Sequence, residues 1–266
     1  MNLEKLFLNL KTKYGYDFTE YADSSIRRRV EHFMKQEHIH TFEELSGKII
    51  NNEEYLELFI QSLSVTVTEM FRDPSFYLSL REKVLTRLET YPVCKIWLAG
   101  CATGEEVFSM AILLQETGIY SRCMIYATDI NQQSLLIARQ GIYPLDTMKK
   151  NISNYIDSGG RKSFSEYFTA NFGSALMQQS LLTNVVFSPH NLAVDKSFNE
   201  FQLIVCRNVL IYFNSELQSK VLDLFYESLC PLGTLALGNK ESLYFTSQKN
   251  NFTELDSKEK IYIRKS

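Results

Sequence analysis

Apolar residues recur three and four positions apart through roughly the first 90 residues of the chain. The spacing predicts helices at about 24–37, 41–50, 53–63 and 75–89. No run of alternating apolar and polar residues, which would indicate a strand, interrupts this part. Asp23 or Ser24 would serve as the N-cap of the first of these helices. The pattern therefore indicates a small, all-helical N-terminal domain.

Beyond about residue 92, short apolar runs alternate with helical periodicity. We predict strands at 94–99, 123–128, 201–206 and 233–238, with helices at 104–117, 131–140 and 215–229 between them. A last short apolar run follows at 260–264. This alternation is typical of a doubly wound α/β sheet. Residues 141–190 interrupt it with aromatic and polar residues and one β-rich run at 184–187, and we interpret them as a small inserted β-containing subdomain. The expected division is a helical domain over 1–75, a linker helix over 76–91 and an α/β domain over 92–266.

The first predicted strand ends in a small-residue turn, Gly100-Cys101-Ala102-Thr103-Gly104. Two glycines permit a tight turn and a close backbone approach. The second strand ends at Asp129, about 20 residues further on, where an acid commonly accepts hydrogen bonds from ribose hydroxyls. Turn and acid together favour a nucleotide-type cofactor in a Rossmann-like crevice, although an ordinary strand-to-helix turn is the alternative.

Two carboxylates follow this turn, and they narrow the chemistry of the cofactor. The turn lacks the third glycine of the dinucleotide motif G-x-G-x-x-G, and Glu105 and Glu106 stand where a pyrophosphate requires free helix N–H groups. Negative charge there disfavours a dinucleotide oxidoreductase. It suits a cofactor with an adenosine, an amine and a cationic centre, which describes S-adenosylmethionine.

Three other polar segments lie where a crevice could form. Thr66, Thr68 and Arg72 place donors on a hydroxyl-rich connection beside the domain boundary, where ligand sites are common. Asn191 ends a polar loop. Arg207-Asn208 follows the strand at 201–206, with Tyr212 close behind, and ligands bind at such strand ends in open α/β sheets. Each residue taken singly could instead be a loop hydrogen-bonder or a core aromatic.

Composition excludes several classes of protein. With 28 basic and 31 acidic side chains in 266 residues, the chain lacks the positive field of a general nucleic-acid binder. Five cysteines without a C-x-x-C pair indicate buried thiols in a reducing cytosol, and the four histidines do not predict a metal site. No apolar run approaches the roughly 18 residues of a membrane span, and no signal-peptide core precedes the first helix. We expect a soluble, cytoplasmic protein.

Several motifs occur together in one order along nearly the whole chain. They are Ser25-Ile26-Arg27-Arg28-Arg29, Thr66-x-Thr68-x-x-Phe71-Arg72, the turn from Ala99 to Glu106, Ala127-Thr128-Asp129-Ile130, His190-Asn191-Leu192, the segment from Cys206 to Phe213, and Gly238-x-x-Glu241-Ser242-Leu243. This combination closely resembles the CheR family. Members of that family are bacterial methyltransferases that use S-adenosylmethionine to esterify glutamate side chains of chemotaxis receptors.

The resemblance implies a role for each motif. Cofactor contacts are expected from Thr66, Thr68, Arg72, Gly100, Glu105, Asp129, Asn191, Leu192, Arg207 and Asn208. Among these, Arg72 and the threonines would close over the methionine end, Glu105 would hold the amino-acid portion, and Asp129 would bind the ribose hydroxyls. The product would be S-adenosylhomocysteine. The chain departs from the family pattern at Thr66, Asn131, Asn239 and Lys240.

The chemistry implied by the family needs no strong base. A glutamate side chain has a reference pKa of about 4.3, so at neutral pH it is already an anionic nucleophile. We therefore expect Tyr212 to act as a neutral hydrogen-bonding group and Arg72 to orient the cofactor or the carboxylate. These two residues are the predicted catalytic groups.

The resemblance also implies a protein partner. Three consecutive arginines, Arg27, Arg28 and Arg29, match the basic helix that approaches the helical methylation region of a chemoreceptor, although a solvated helix face would look the same. The excursion at 141–190 lies where some family members bind a receptor tether, and the sequence leaves tether dependence open. We expect a monomer. Two alternatives are a methyltransferase of the same fold for another signalling protein and a non-catalytic module that binds S-adenosylmethionine and docks on a partner.

Overall fold

A computed structural model describes residues 3–63, 68–244 and 246–266. The N-terminal part is helical, with α1 (Leu3–Tyr14), α2 (Asp23–Gln36), α3 (Phe42–Asn51) and α4 (Glu53–Leu63). Their apolar faces enclose a separate core that includes the fully buried Leu6, Leu10, Val30, Leu45 and Phe59. The expectation of an all-helical domain is therefore confirmed.

One detail of α2 differs from the sequence-based expectation. The N-cap position is Ala22, with extended backbone and no side-chain cap, and Asp23 is the first helical residue. Asp23 instead places its carboxylate in the first turn, where it is 3.4 Å from the Arg27 guanidinium. Favourable interaction of a negative charge with the helix N-terminus takes the place of a capping hydrogen bond.

The connection to the second domain contains two residues in left-handed conformation. Phe71 has a φ of +52° and Asp73 a φ of +59°, which is unusual for side chains of this size. Phe71 is fully buried, and its ring lies 4.9 Å from that of Tyr77 and 5.2 Å from that of Tyr155. Its N–H donates to Ser109 Oγ at 2.8 Å. Buried contacts thus hold the connection in a conformation that the isolated chain would disfavour.

A continuous helical stretch then runs through α5 (Pro74–Ser79), a π-helical turn (Leu80–Val84) and α6 (Leu85–Leu88). The remaining elements are, in chain order, β1 (Cys94–Ala99), α7 (Glu105–Glu116), β2 (Cys123–Asp129), α8 (Gln132–Gln140), β3 (Ile142–Pro144), α9 (Leu145–Asp157), β4 (Phe168–Asn171), β5 (Ser174–Met177), β6 (Val185–Pro189), β7 (Phe201–Cys206), α10 (Ser215–Ser228), β8 (Leu229–Leu237), β9 (Phe252–Asp256) and β10 (Ile261–Arg264).

Seven of these strands form one mixed sheet in the order β6-β2-β1-β7-β8-β10-β9. The first five are parallel, and β10 is antiparallel to both of its neighbours. Ile96 in the central strand pairs with Ile125 on one side and Leu203 on the other, and all three are fully buried, as in sheets covered on both faces. The strand order reverses between β1 and β7, which opens a crevice at their carboxyl ends. This is the Rossmann-like architecture that the sequence predicts.

The excursion is shorter than the range 141–190. The three strands β3, β5 and β4 form a small antiparallel sheet, and α9 lies between β3 and β4 in the chain. Val185–Pro189, however, forms the edge strand of the main sheet, with Val185 paired to Ile125. The β-branched apolar residues of β6 pair in parallel with β2, so β6 belongs to the main sheet. The excursion therefore ends before β6.

A short β-bridge connects the two domains. Tyr21 pairs with Phe213 in antiparallel register, and their rings pack edge to face at 5.0 Å. On either side, Ala22 N donates to Tyr212 O and Asn214 N donates to Glu20 O, both at 2.9 Å. The start of α2 is therefore hydrogen-bonded directly to the loop that follows β7.

Candidate functional site

A cleft lies between the helical domain and the carboxyl ends of β1, β2 and β7. Most residues that the sequence singles out line this cleft, namely Arg29, Thr68, Arg72, Gly100, Asp129, Asn191, Leu192, Arg207, Asn208 and Tyr212. Phe18, Tyr21 and Leu63 add walls from the helical domain. Thr66 lies outside the described residues. Segments far apart in sequence thus meet at the crevice.

The turn after β1 requires glycine at two positions. Gly100 has a φ of +76°, and a Cβ there would lie 2.4 Å from Cγ2 of Val209 on the neighbouring loop. Gly104 has a φ of +93°, and a Cβ there would lie 2.9 Å from Cα of Ala138 in α8. The N–H groups of Gly100 and Cys101 both donate to Thr128 O at the end of β2. Close packing on both sides therefore fixes the floor of the cleft.

Asp129 is held rigidly at the end of β2. Its Oδ2 accepts from Ala102 N and its Oδ1 from Asn131 N, both at 2.9 Å. Burial raises the pKa of this carboxyl, while the backbone donors favour its ionised form. Asn131 Oδ1 accepts from Ser134 N at 3.2 Å and caps α8. The asparagine two residues after Asp129 therefore supports the helix.

The structure places Glu105 differently from the sequence-based expectation. Glu105 does not line the cleft among the described residues; its carboxylate accepts from Thr103 Oγ1 at 2.7 Å, and burial raises its pKa to about 7. The next residue, Glu106, lines the cleft. Successive side chains on a helix point about 100° apart, so the conformation of Gly104 decides which carboxylate faces the cleft.

Arg207 uses its guanidinium to join two segments. Nη2 lies 2.7 Å from Asp73 Oδ2 on the interdomain connection, and Nη1 lies 3.1 Å from Glu106 Oε1 at the start of α7. The guanidinium stacks on Phe76, 4.0 Å from the ring centroid, and the side chain is 2% exposed. The sequence analysis assigns neither Asp73 nor Glu106 a contact with Arg207, although each carboxylate stands beside a motif that it singles out.

The three arginines of α2 do not form a single strip. Arg27 and Arg28 are exposed, whereas Arg29 is half-buried and donates to Leu63 O. The Arg29 guanidinium lies 4.5 Å from the centroid of the Tyr212 ring. Arg29 is therefore a wall of the cleft rather than part of an exposed docking strip, because the helical rotation between successive residues turns it towards the α/β domain.

The loop after β6 also builds the wall. Asn191 Oδ1 accepts from Ala193 N at 3.0 Å, a local turn bond, and Asn191 N donates to Asp195 Oδ2 at 2.8 Å. His190, which was not predicted as a site residue, lines the cleft with its ring 5.1 Å from that of Trp97. Burial lowers the pKa of His190, which favours the neutral imidazole.

Two negative observations hold for the part of the chain that the structure describes. It contains no helix long and apolar enough to cross a membrane. Nor do three or more His, Cys, Asp or Glu side chains come together there as a metal site would require.

Comparison with known proteins assigns both parts of the chain. Residues 1–64 match the family model of the CheR methyltransferase all-alpha domain, and residues 66–261 match that of the CheR methyltransferase SAM-binding domain. The Cher3 protein of Pseudomonas putida is 48% identical over 254 residues, covering 96% of this chain and 93% of its own.

Several relatives are named chemotaxis protein methyltransferases. The chemotaxis protein methyltransferase of Listeria monocytogenes is 28% identical over 94% of this chain and 97% of its own. That of Escherichia coli is 31% identical over 74% of this chain and 67% of its own.

Proposed function

The chain belongs to the CheR family of S-adenosylmethionine-dependent methyltransferases, and we propose that it methylates glutamate side-chain carboxylates in the cytoplasmic domains of chemoreceptors. Membership is shown by the match over residues 66–261. The finer proposal rests on the cleft itself. Asp129, Arg72 and Tyr212 line it together with residues of the helical domain. Relatives named chemotaxis protein methyltransferases support the same substrate class.

The residues of the cleft fit the cofactor. S-adenosylmethionine supplies an electrophilic methyl group on a sulfonium centre. We assign ribose binding to the half-buried acceptor Asp129, and adenine contacts to Asn191 and Leu192. Thr68 and Arg72 stand on the interdomain connection, where they can bind the methionine carboxylate. Gly100 leaves the floor of the cleft open, since any side chain there would collide with Val209.

Both signs of charge line the cleft. The carboxylates of Glu69, Glu106 and Asp129 stand there beside the guanidiniums of Arg29, Arg72 and Arg207. The 3.1 Å ion pair with Arg207 neutralises part of the charge of Glu106, yet the Glu106 carboxylate still lines the cleft. We therefore assign Glu106, in place of Glu105, to the amino group of the cofactor.

Catalysis by these residues is mainly positioning. The substrate carboxylate is ionised at neutral pH, so the protein needs to orient it and exclude water rather than remove a proton. We propose that the Tyr212 hydroxyl donates a hydrogen bond to the carboxylate oxygen that is not attacking. The Arg29 guanidinium over the Tyr212 ring and the bond from Ala22 N to Tyr212 O hold this residue in place.

The helical domain is proposed to dock the substrate. Arg27 and Arg28 are exposed near the start of α2, and Arg29 on the same turn reaches the cleft. A receptor helix bearing acidic residues could thus contact the exposed arginines while one glutamate enters the cleft.

We retain the proposed division of the chain into a helical domain over 1–75, a linker helix over 76–91 and an α/β domain over 92–266, with the excursion ending before Val185.

Two measurements test the proposal. Calorimetric titration with S-adenosylmethionine, S-adenosylhomocysteine and NAD should show micromolar binding of the first two alone, in the range usual for enzyme ligands. Incubation of a chemoreceptor cytoplasmic fragment with tritiated cofactor should then yield methyl groups that alkali releases as methanol. A fragment whose candidate glutamates are replaced by alanine is the control.

The outcomes separate the candidate functions. If the protein binds the cofactor and labels another signalling protein with base-labile methyl groups, but not the receptor fragment, that other protein is the substrate. Binding without any transfer would leave a docking module. A folded protein that binds neither ligand would contradict the assignment of the cleft.

A further inference from the structure

Glu241 is a buried carboxylate that the proposed mechanism has not used. It lies beyond the end of β8 and is 4% exposed. Its Oε2 accepts from Gly238 N at 2.6 Å and Asn208 N at 3.2 Å, and its Oε1 accepts from Val209 N at 2.8 Å and Ile211 N at 3.4 Å. One side chain thus collects backbone donors from the ends of two neighbouring strands.

Three of the four donors, Asn208, Val209 and Ile211, belong to the loop that forms the cleft wall after β7. Asn208 has a φ of +61°, so the loop contains a residue in left-handed conformation. Asparagine tolerates this conformation, so its side chain suits the turn. Because Asn208 also donates its own N–H to Glu241, the carboxylate holds the loop at that point.

Negative charge is required for this arrangement. Four N–H groups converge on the two oxygens, and a carboxylate is the side chain that accepts on both. Burial raises the pKa of Glu241, whereas the backbone donors stabilise the ionised form. An amide of the same size would turn an NH₂ group towards two of these donors.

We propose that Glu241 is a positioning residue of the methyl-transfer reaction, since its carboxylate fixes the backbone from Asn208 to Ile211 and so sets the place of Asn208 and Tyr212 in the cleft. This inference rests on the proposed function for its catalytic consequence. The loop geometry itself does not depend on which protein is methylated.

Gly238 provides an independent way to disturb the same contact. A Cβ at this position would lie 2.7 Å from Glu241 Oε2 and 2.9 Å from Asn208 N. Its φ lies outside the left-handed region, so alanine is allowed by the backbone. Gly238→Ala therefore moves the carboxylate and the loop apart while every charge is kept.

The experiment compares Glu241→Gln, Glu241→Asp and Gly238→Ala with the wild type. Glu259→Gln is the matched control, because Glu259 is also 4% exposed but pairs with Lys258 at 3.8 Å in the turn before β10. Hydrogen exchange is followed in peptides that cover 207–213, and kcat and KM are measured with the receptor fragment at saturating cofactor.

We expect Glu241→Gln to accelerate exchange in 207–213 and to lower kcat by on the order of 100-fold, as small misplacements of reacting groups do. Gly238→Ala should act in the same direction, Glu241→Asp should recover part of kcat, and Glu259→Gln should leave exchange in 207–213 unchanged. If Glu241→Gln does not fold, Gly238→Ala carries the test.

Wild-type exchange and wild-type kcat in a folded Gly238→Ala or Glu241→Gln variant would overturn the inference. Equal acceleration of exchange in the Glu259→Gln control would also overturn it, since the effect would then be general destabilisation. If the wild type itself transfers no methyl group to the receptor fragment, the proposed function fails, and the exchange data still decide whether Glu241 fixes the loop.

Discussion

Replacing Asp73 by asparagine removes one charge from the ion pair that ties the interdomain connection to Arg207. Asp73 has a φ of +59°, and asparagine tolerates this conformation, so the change adds little backbone strain. The Asp73 side chain makes no capping bond to α5. The substitution therefore reports on the contact with Arg207, whose Nη2 lies 2.7 Å away.

The size of the effect follows from burial on the two sides of the pair. Removing one partner of a fully buried ion pair costs about 3–5 kcal/mol. Here Arg207 keeps Glu106 at 3.1 Å, and the Asp73 side chain is 34% exposed, so solvent screens part of the interaction. We expect the free energy of unfolding to fall by about 1–2 kcal/mol. For a chain of this size, that lowers Tm by about 2–4 °C.

Cofactor binding should weaken as well. Arg72 precedes Asp73 directly and lines the cleft, so a looser connection would place Arg72 less accurately. Urea and thermal unfolding measure stability, and calorimetry measures the Kd for S-adenosylmethionine, with exposed Asp157→Asn as the control for loss of one negative charge. Unchanged stability and unchanged affinity in Asp73→Asn would refute the idea that this ion pair holds the connection in place.

Further predictions concern the carboxylates and the hydroxyl at the cleft and the basic helix. Tyr212→Phe should lower kcat and leave the Kd for the cofactor unchanged; equal loss of both would contradict a purely catalytic hydroxyl. Glu106→Gln should weaken cofactor binding more than Glu105→Gln, and the reverse order in calorimetry would reinstate Glu105. Burial raises the folded-state pKa of Glu105 from 4.5 to about 7, so the contribution of this residue to stability falls as pH rises between these values, by at most about 1.4 kcal/mol per pH unit. The free energy of unfolding in urea without cofactor should therefore depend less steeply on pH in Glu105→Gln than in the wild type. Parallel curves would count against the raised pKa. Arg27→Ala with Arg28→Ala should raise KM for the receptor fragment, less so in high salt, and a salt-independent change would argue against electrostatic docking.

The sequence predicts the main sheet well because its central strands are short apolar runs between helical segments. The bounds 94–99 and 201–206 agree with β1 and β7. The antiparallel edge strand Phe252–Asp256 was not predicted, since only part of it is buried and its composition is polar. The helix Leu145–Asp157 was also missed, because it lies within a segment whose aromatic and polar residues obscured its period.

For the candidate site, the sequence predicts which loops come together, but it does not determine which way side chains on the helices point. Asp129 and Asn208 follow parallel strands, and the carboxyl ends of such strands must meet at one edge. In contrast, the choice between Glu105 and Glu106, and the turning of Arg29 towards Tyr212, depend on angles about helix axes. Those angles are set by the left-handed Gly104 and by packing between domains, which a pattern along one segment does not contain.

The bridge between Tyr21 and Phe213 has a consequence for recombining members of this family. A hybrid enzyme joined after α4 would bring Phe18, Tyr21 and Arg29 from one parent against a post-β7 loop from the other. The walls of its cleft would then come from mismatched parents, even if both parents were efficient. Transferring substrate preference therefore requires exchanging the segment 207–214 together with the helical domain.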